Sequence, residues 1–144
     1  MAIRFNFQKH TKLTNRRILK EFLKGVFDRE GLQLGELHYV FCDDQYILNV
    51  NQTFLRHNYF TDIITFDMTE PGSKTISGEI YISVDTVATN AIKFKTSFEN
   101  ELYRVMFHGV LHLCGYKDKA ENEKRIMKQK ENLYLAMFHG ERQS

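Results

Sequence analysis

The sequence has little proline and no segment of biased composition. One proline occurs in 144 residues, and no internal repeat or low-complexity tract is present. Apolar residues make up 42% of the chain and charged residues 26%, which is typical of a compact folded domain and excludes a disordered chain. The length predicts a single domain over residues 1–144.

Cysteines and long apolar runs are also scarce. Cys42 and Cys114 are too few for a disulfide framework, so both are predicted to be reduced thiols. No apolar run reaches the roughly 18 to 20 residues that cross a bilayer. The start, MAIRFNFQKH, lacks the charged-then-apolar order of a signal peptide. We therefore expect a cytoplasmic protein with no membrane partner.

The chain also lacks a large net charge, which is only +2, but its charges are unevenly distributed. Residues 1–30 carry eight Lys and Arg against three Asp and Glu, whereas residues 31–90 carry two against eight. Residues 91–144 are again basic, with ten against seven. Basic ends are compatible with a polyanionic partner, although most charge runs are simply solvated faces.

Hydrophobic periodicity predicts four strands and five helices. The strands are expected at 2–7, 36–42, 61–68 and 78–83, with the last two as a hairpin. The helices are expected from a Thr14 cap to about Arg29, from Asp43 or Asp44 to about Leu55, from Ser83 or Asp85 onward, from Ser97 to Gly115, and from about Ala120 to Phe138. This order predicts an α+β fold, in which helices cover a mixed four-stranded sheet.

Two histidines stand out in the stretch HGVLHLCGYKD, residues 108–118. On a helix His108 and His112 project to the same side about 5 to 6 Å apart, close enough to share one metal ion. The helix is apolar nearly all round, so it is predicted to be buried, where an imidazole without a partner costs roughly 1 to 3 kcal/mol. A shared metal explains both histidines, although histidines satisfied by backbone or water are the commoner case.

Asp118 is the predicted third ligand. If Gly115 ends the helix in a left-handed turn, the chain doubles back and brings this carboxylate towards the histidines. Two histidines and a carboxylate leave an open position on zinc, which is the arrangement of catalytic rather than structural sites. Cys114 is a competing ligand, but it lies about 200° round the helix from His112. The simpler alternative makes Asp118 the N-cap of the last helix.

The residue after the first histidine argues against a protease. A zinc protease of the H-E-x-x-H type has its general base at that position, where this chain has Gly109. Glycine instead allows another element to pack closely against the helix.

Three blocks of the sequence together resemble the YbeY family of bacterial metal-dependent endoribonucleases, which act in ribosomal RNA maturation. HGVLHLCGY is similar to the family pattern H-G-x-L-H-L-x-G-Y, with a third metal ligand ten residues after the first histidine. FTDIITF (60–66) resembles the family strand P-T-D-V-L-S-F, and SGEIYIS (77–83) resembles G-D-I-x-I-S. Order and spacing agree from about Asn49 to Met137.

The chain departs from this pattern at two places. The third ligand of the family is usually histidine, and here that position is Asp118, preceded by Lys117. A family arginine with a catalytic role aligns with Leu55, whereas Arg56 follows one residue later. Because one residue is a 100° turn of a helix, Arg56 reaches the cleft only if the helix ends there. Arg56 or His57 is the candidate catalytic cation, and the alternative interpretation of Arg56 is a solvated surface side chain.

The resemblance implies a single-strand endoribonuclease with one zinc ion held by His108, His112 and Asp118. It also implies ribosomal RNA and the small ribosomal subunit as partners, action at the 3′ end of small-subunit RNA and in ribosome quality control, and no DNA substrate. Arg16, Arg17 and Lys20 offer a basic face for phosphates. Two alternatives stay open: a non-catalytic RNA-binding assembly factor with a structural or lost metal, and a metal-dependent hydrolase of another substrate.

Overall fold

The computed structural model describes residues 2–58 and 61–143, the last three as backbone only. Its elements follow the predicted order. The strands are β1 (Ile3–Phe7), β2 (Gln33–Cys42), β3 (Ile63–Asp67) and β4 (Thr75–Ser83). The helices are α1 (Arg16–Arg29), α2 (Asp44–Val50), α3 (Val84–Lys93), α4 (Phe98–Leu113) and α5 (Glu121–Gln143), with a π-helical segment at Asn51–Leu55.

The strands form one mixed sheet in the order β1-β2-β4-β3. β1, β2 and β4 are parallel, and β3 pairs with β4 in the antiparallel direction, as the hairpin prediction required. The predicted α+β class with a mixed four-stranded sheet is confirmed. Within the described residues, no helix combines the length and the apolarity that a membrane span needs.

The two faces of the sheet bury different clusters. Alternate residues point to opposite faces, so Tyr39, Phe41 and Ile80 share the main core with α1, α4 and α5. Cys42 and Ile64 point the other way and pack against α2. The sheet therefore lies between α2 on one side and the α1, α4 and α5 layer on the other.

Helix α4 is the buried centre of the molecule, as predicted. Gly109 lies where this helix meets the sheet, and a Cβ atom there would lie 2.8 Å from Cδ1 of Ile80 and 3.1 Å from Cδ1 of Ile63. A larger residue there would have to displace the side chains of Ile80 and Ile63, which glycine avoids. The close packing expected at Gly109 is therefore present.

Several predicted element boundaries are confirmed and others are wrong. Asp43 and Ser97 cap their helices, each by accepting a hydrogen bond from the backbone N–H three residues on. Thr14 does not cap α1, because the capping position is Asn15, which has a φ of 56°. The hydroxyl of Thr14 donates instead to Glu99. Strand β2 begins at Gln33, three residues before its predicted start.

Candidate metal centre

The end of α4 is built to reverse the chain towards the two histidines. Gly115 has a φ of 106°, in the region that glycine adopts without strain. Its N–H bonds to the carbonyl of His112 at 3.0 Å, and the N–H of Tyr116 bonds to that of Leu111 at 3.0 Å. This closing motif brings Asp118 back over the helix, as the sequence predicted.

His108, His112 and Asp118 meet at one point. The Oδ2 atom of Asp118 lies 3.2 Å from Nε2 of His108 and 3.3 Å from Nε2 of His112. One ligand atom from each residue lies within 4.8 Å of the others, so the three could hold a metal ion. Tetrahedral zinc at about 2.0 to 2.1 Å from each ligand separates neighbouring ligand atoms by about 3.3 Å. The donor set and its spacing therefore fit such an ion.

Both imidazoles are oriented by a hydrogen bond at their other nitrogen. Nδ1 of His112 lies 2.9 Å from the carbonyl of Tyr116, and because a carbonyl only accepts, Nδ1 carries the proton. Nδ1 of His108 lies 2.6 Å from a carboxylate oxygen of Glu131. With a metal ion bound, a proton at Nδ1 would leave the Nε2 lone pair of each imidazole for the ion, which is the tautomer that metal ligation requires.

Charges around His108 favour its protonated form when no cation is bound. Burial alone would lower the pKa of His108, but the hydrogen bond and charge of Glu131 outweigh it, and Asp118 and Asp62 add to the effect. The pKa of His108 is therefore raised. A metal cation at the cluster would take the place of this proton in balancing the negative charge of the same carboxylates.

The cluster lies at one side of a cleft of about 580 Å³. Glu131 on α5 forms a salt bridge with Arg104 on α4 at 3.0 Å, and Arg104 also donates to Asn132 at 2.8 Å. Burial raises the pKa of Asp62 and of Glu101. The cleft is lined by Thr61, Asp62, Ile63, Thr65, Asp67, Glu101, Arg104, Val105, His108, His112, Leu113, Asp118 and Glu131.

Cys114, the competing ligand, packs against the main core, away from the cluster. Burial, with a further contribution from Glu30, raises the pKa of its thiol to about 12. Metals bind the thiolate rather than the thiol, so this environment opposes ligation. Within the described residues both Cys42 and Cys114 are free, which confirms the prediction of reduced thiols.

The alternative interpretation of Asp118 as a helix cap is wrong. Helix α5 begins at Glu121, three residues after Asp118. The carboxylate of Glu123 accepts hydrogen bonds from the N–H groups of Lys119 at 3.3 Å and Ala120 at 2.8 Å, so Glu123 satisfies the start of the helix. The side chain of Asp118 is free to face the histidines.

Arg56 lies apart from the residues that line the cleft. The helical segment does end at Leu55, and Arg56 has a φ of 58° with its N–H bonded to Asn51. Its side chain and that of His57 are exposed. Residues 59 and 60, including the first residue of the FTDIITF block, lie outside the described part of the chain.

Among the polar residues of the cleft that had no predicted role are four charged ones, namely Asp62, Glu101, Arg104 and Glu131. Helical spacing gave a signal for two of them, because Arg104 and Glu101 precede His108 by four and seven residues and so share its face of α4. Asp62 lay within the FTDIITF block. No local pattern pointed to Glu131, which reaches the site from another helix.

Comparisons with known proteins identify the family of the chain. The family model of Endoribonuclease YbeY matches residues 3–139. The Endoribonuclease YbeY of Flavobacterium johnsoniae is 44% identical over 139 residues, covering 96% of this chain and 99% of its own. The protein of the same name from Parabacteroides distasonis is 50% identical over 117 residues, covering 81% of each chain.

A solved structure is similar as well. The solution structure of TM1509 from Thermotoga maritima superposes with a TM-score of 0.67 at 28% identity, covering 98% of this chain and 91% of that one. The match over nearly the whole chain confirms the resemblance seen in the three sequence blocks and the predicted class of enzyme, a hydrolase of the endoribonuclease type. The chain belongs to the endoribonuclease YbeY family.

Proposed function

We propose that this protein is a zinc-dependent single-strand endoribonuclease that matures the 3′ end of small-subunit ribosomal RNA and acts in ribosome quality control. In this proposal residues 1–144 form one metallohydrolase domain. The protein works in the cytoplasm, and its partners are ribosomal RNA and the small ribosomal subunit. One observation carries it: two imidazole nitrogens and a carboxylate oxygen converge at the spacing of zinc ligands, beside a cleft, in a chain of this family.

In this proposal His108, His112 and Asp118 hold the ion. A bound zinc ion polarises a phosphoryl oxygen and lowers the pKa of water towards neutrality. Glu131 and the carbonyl of Tyr116 fix the tautomer and the direction of the two imidazoles. One carboxylate in the place of the usual histidine lowers the net charge of the loaded site by one, which weakens its attraction for phosphate.

Two arginines supply the positive charge that stabilises a phosphoryl transition state. Arg104 lines the cleft, but Glu131 and Asn132 hold its guanidinium. Arg56 is exposed at the end of the π-helical segment and is the candidate for contact with the RNA, with His57 beside it. Arg56→Ala should therefore lower kcat without changing metal content, whereas Arg104→Ala should lower both.

Helix α1 contributes the proposed basic face. The guanidinium of Arg16 lies 4.5 Å from the ring centre of Phe7, and the ammonium of Lys20 lies 5.0 Å from that of Phe5. Arg17 pairs at 3.5 Å with Glu21 on an exposed surface, where such a pair is weak. These cations are available to the phosphates of RNA. Binding through them would depend little on the RNA sequence and would weaken as salt is added.

Cleavage of a labelled single-stranded RNA by wild type and His112→Ala tests the proposal. The variant should lose cleavage and zinc together, and added zinc should restore neither. His38→Ala is the matched control, because His38 lies on the sheet face opposite α4. Unchanged cleavage by His112→Ala would exclude the metal mechanism. An RNA that carries the small-subunit 3′ end should be cut at that end in the presence of small subunits. Cleavage with no preference for that end would refute the ribosomal role.

A further inference from the structure

A second cleft of about 740 Å³ adjoins the metal cluster. It shares His108 and Asp118 with the first cleft, together with Glu101, Arg104 and Glu131. A molecule in the second cleft therefore lies against the residues that hold the proposed ion. The other residues that line this cleft come from the turn between α3 and α4, from the first turn of α4 at Asn100, and from the first half of α5.

The α3–α4 turn presents an exposed aromatic ring between two lysines, Lys93-Phe94-Lys95. Phe94 is 59% exposed, and the ammonium of Lys93 lies 5.6 Å from the centre of its ring. The turn is fixed by its backbone. The N–H of Phe94 bonds to Asn90, and Lys95 reverses the chain with a φ of 57°. Exposure of this apolar ring to water is unfavourable, and the fixed turn leaves the ring available to a ligand.

Helix α5 lines the other side of the cleft with Lys124 and Lys128, four residues apart on one face. The ammonium of Lys124 lies 4.0 Å from Glu121, at the limit of an ion pair. In the part of the chain that the structure describes, no acidic side chain pairs with Lys128. The cleft thus combines one exposed ring, Phe94, with the two lysines of α5. Its carboxylates, Glu101, Asp118 and Glu131, lie on the side that it shares with the first cleft.

We propose that this second cleft binds one nucleotide of the single-stranded RNA next to the phosphate that is cleaved. Phe94 stacks on the base, and Lys124 and Lys128 contact the adjoining phosphates. Aromatic faces beside a cationic groove are the usual means of holding single strands without sequence preference. An apolar partner would use the ring but not the lysines. The inference rests on the proposed function for its position beside a cleaved phosphate, but base stacking is testable separately.

Binding of two nuclease-resistant phosphorothioate oligonucleotides to the protein as purified without chelator, followed by fluorescence anisotropy, tests the stacking contact. One strand carries bases and the other is abasic. Phe94→Ala should raise the Kd for the strand with bases by roughly 5- to 100-fold, the range that base stacking on aromatic side chains produces. The Kd for the abasic strand should not change. Phe94→Tyr should bind like wild type.

Ile92→Ala is the matched control, because Ile92 is 82% exposed and does not line the cleft. It should bind both strands as wild type does. Equal weakening of both strands by Phe94→Ala, or no weakening of either, would overturn the inference. Thermal unfolding of each variant separates loss of the ring from loss of the fold.

The salt dependence of binding tests the lysines. Lys128→Gln should weaken both strands equally and lower the slope of log Kd against log salt by about 0.7, the contribution of one single-strand phosphate contact. Lys74→Gln, in the β3–β4 loop, should leave the slope unchanged, and an unchanged slope for Lys128→Gln would remove the phosphate contact from the proposal.

Failure of this inference is distinguishable from failure of the proposed function. If wild type cleaves RNA and Phe94→Ala binds RNA normally, the nucleotide site in the second cleft is refuted and the proposed function is not. Base-dependent binding that Phe94→Ala removes, in a protein that neither holds zinc nor cleaves RNA, supports the cleft and refutes the metallonuclease.

Discussion

Nδ1 of His108 lies 2.6 Å from a carboxylate oxygen of Glu131, a residue 23 positions later in the chain and on a different helix. Glu131 is itself held by Arg104 at 3.0 Å. The direction of one proposed metal ligand is therefore set by the packing of α5 against α4. Loss of this support should loosen the site without removing a ligand.

Glu131→Gln should weaken zinc affinity by about 10- to 100-fold, the usual cost of losing a carboxylate that supports a histidine ligand. Competition with a chromogenic chelator measures the affinity. Asn132→Ala removes the other side-chain partner of Arg104 and is the control, with little expected change. Equal affinity in Glu131→Gln and wild type would show that His108 needs no such support.

Gly109→Ala should lower the free energy of unfolding by up to about 2 kcal/mol. The added methyl would lie 2.8 Å from Cδ1 of Ile80. Overpacking of this kind costs about 1 to 3 kcal/mol. The better helix propensity of alanine offsets somewhat less than about 1 kcal/mol of that cost. Denaturant unfolding measures the change. Gly25→Ala in α1 is the control, since no atom lies within 4 Å of the added group and alanine should stabilise the helix. Stabilisation by Gly109→Ala equal to that by Gly25→Ala would show that the added methyl meets no close contact.

Glu30 should make the protein less stable in acid. Burial alone would raise its pKa, but hydrogen bonds from Tyr116, Tyr134 and Lys130 outweigh it and hold the pKa below the ordinary value of 4.5. A lowered pKa in the folded state contributes stability that is present above the unfolded value and is lost as the pH falls through the folded value.

Thermal unfolding of Glu30→Gln between neutral pH and pH 3 should therefore show a smaller loss of Tm than wild type shows, starting from a lower Tm at neutral pH. Glu21→Gln, which removes an exposed carboxylate of the preceding helix α1, should follow wild type. Parallel curves for Glu30→Gln and wild type would contradict the role of Glu30.

Cys114→Ser should leave zinc content unchanged and lower the free energy of unfolding by about 1 to 2 kcal/mol, because a hydroxyl replaces a thiol packed against the core. Elemental analysis and denaturant unfolding check the two parts. Cys42→Ser is the matched variant, with its thiol on the opposite sheet face. Loss of zinc from Cys114→Ser alone would make Cys114 a ligand.

Periodicity predicted most of the fold because the strands alternate and the helices carry apolar stripes. The exceptions are local. Thr14 has the side chain of a cap, but Asn15 adopts the left-handed conformation that begins α1. The apolar period extends from α2 to Leu55, yet the hydrogen bonds change to the π pattern at Asn51, a change that side-chain spacing does not reveal.

The candidate site was predictable where its residues are close in sequence. His108 and His112 follow from helical spacing, and Asp118 from the glycine turn. Glu131 was not predictable, because its position depends on how α5 packs, which no local pattern encodes. The positions of Lys124 and Lys128 at the second cleft were not predictable either, because they also depend on how α5 packs.

The zinc content of protein purified without chelator tests the central claim most directly. Wild type should hold one zinc ion per chain by elemental analysis, Asp118→Ala should lose most of it, and Lys117→Ala should keep it. Wild type without a stoichiometric metal, or equal losses in the two variants, would contradict the assignment of His108, His112 and Asp118 as the metal site.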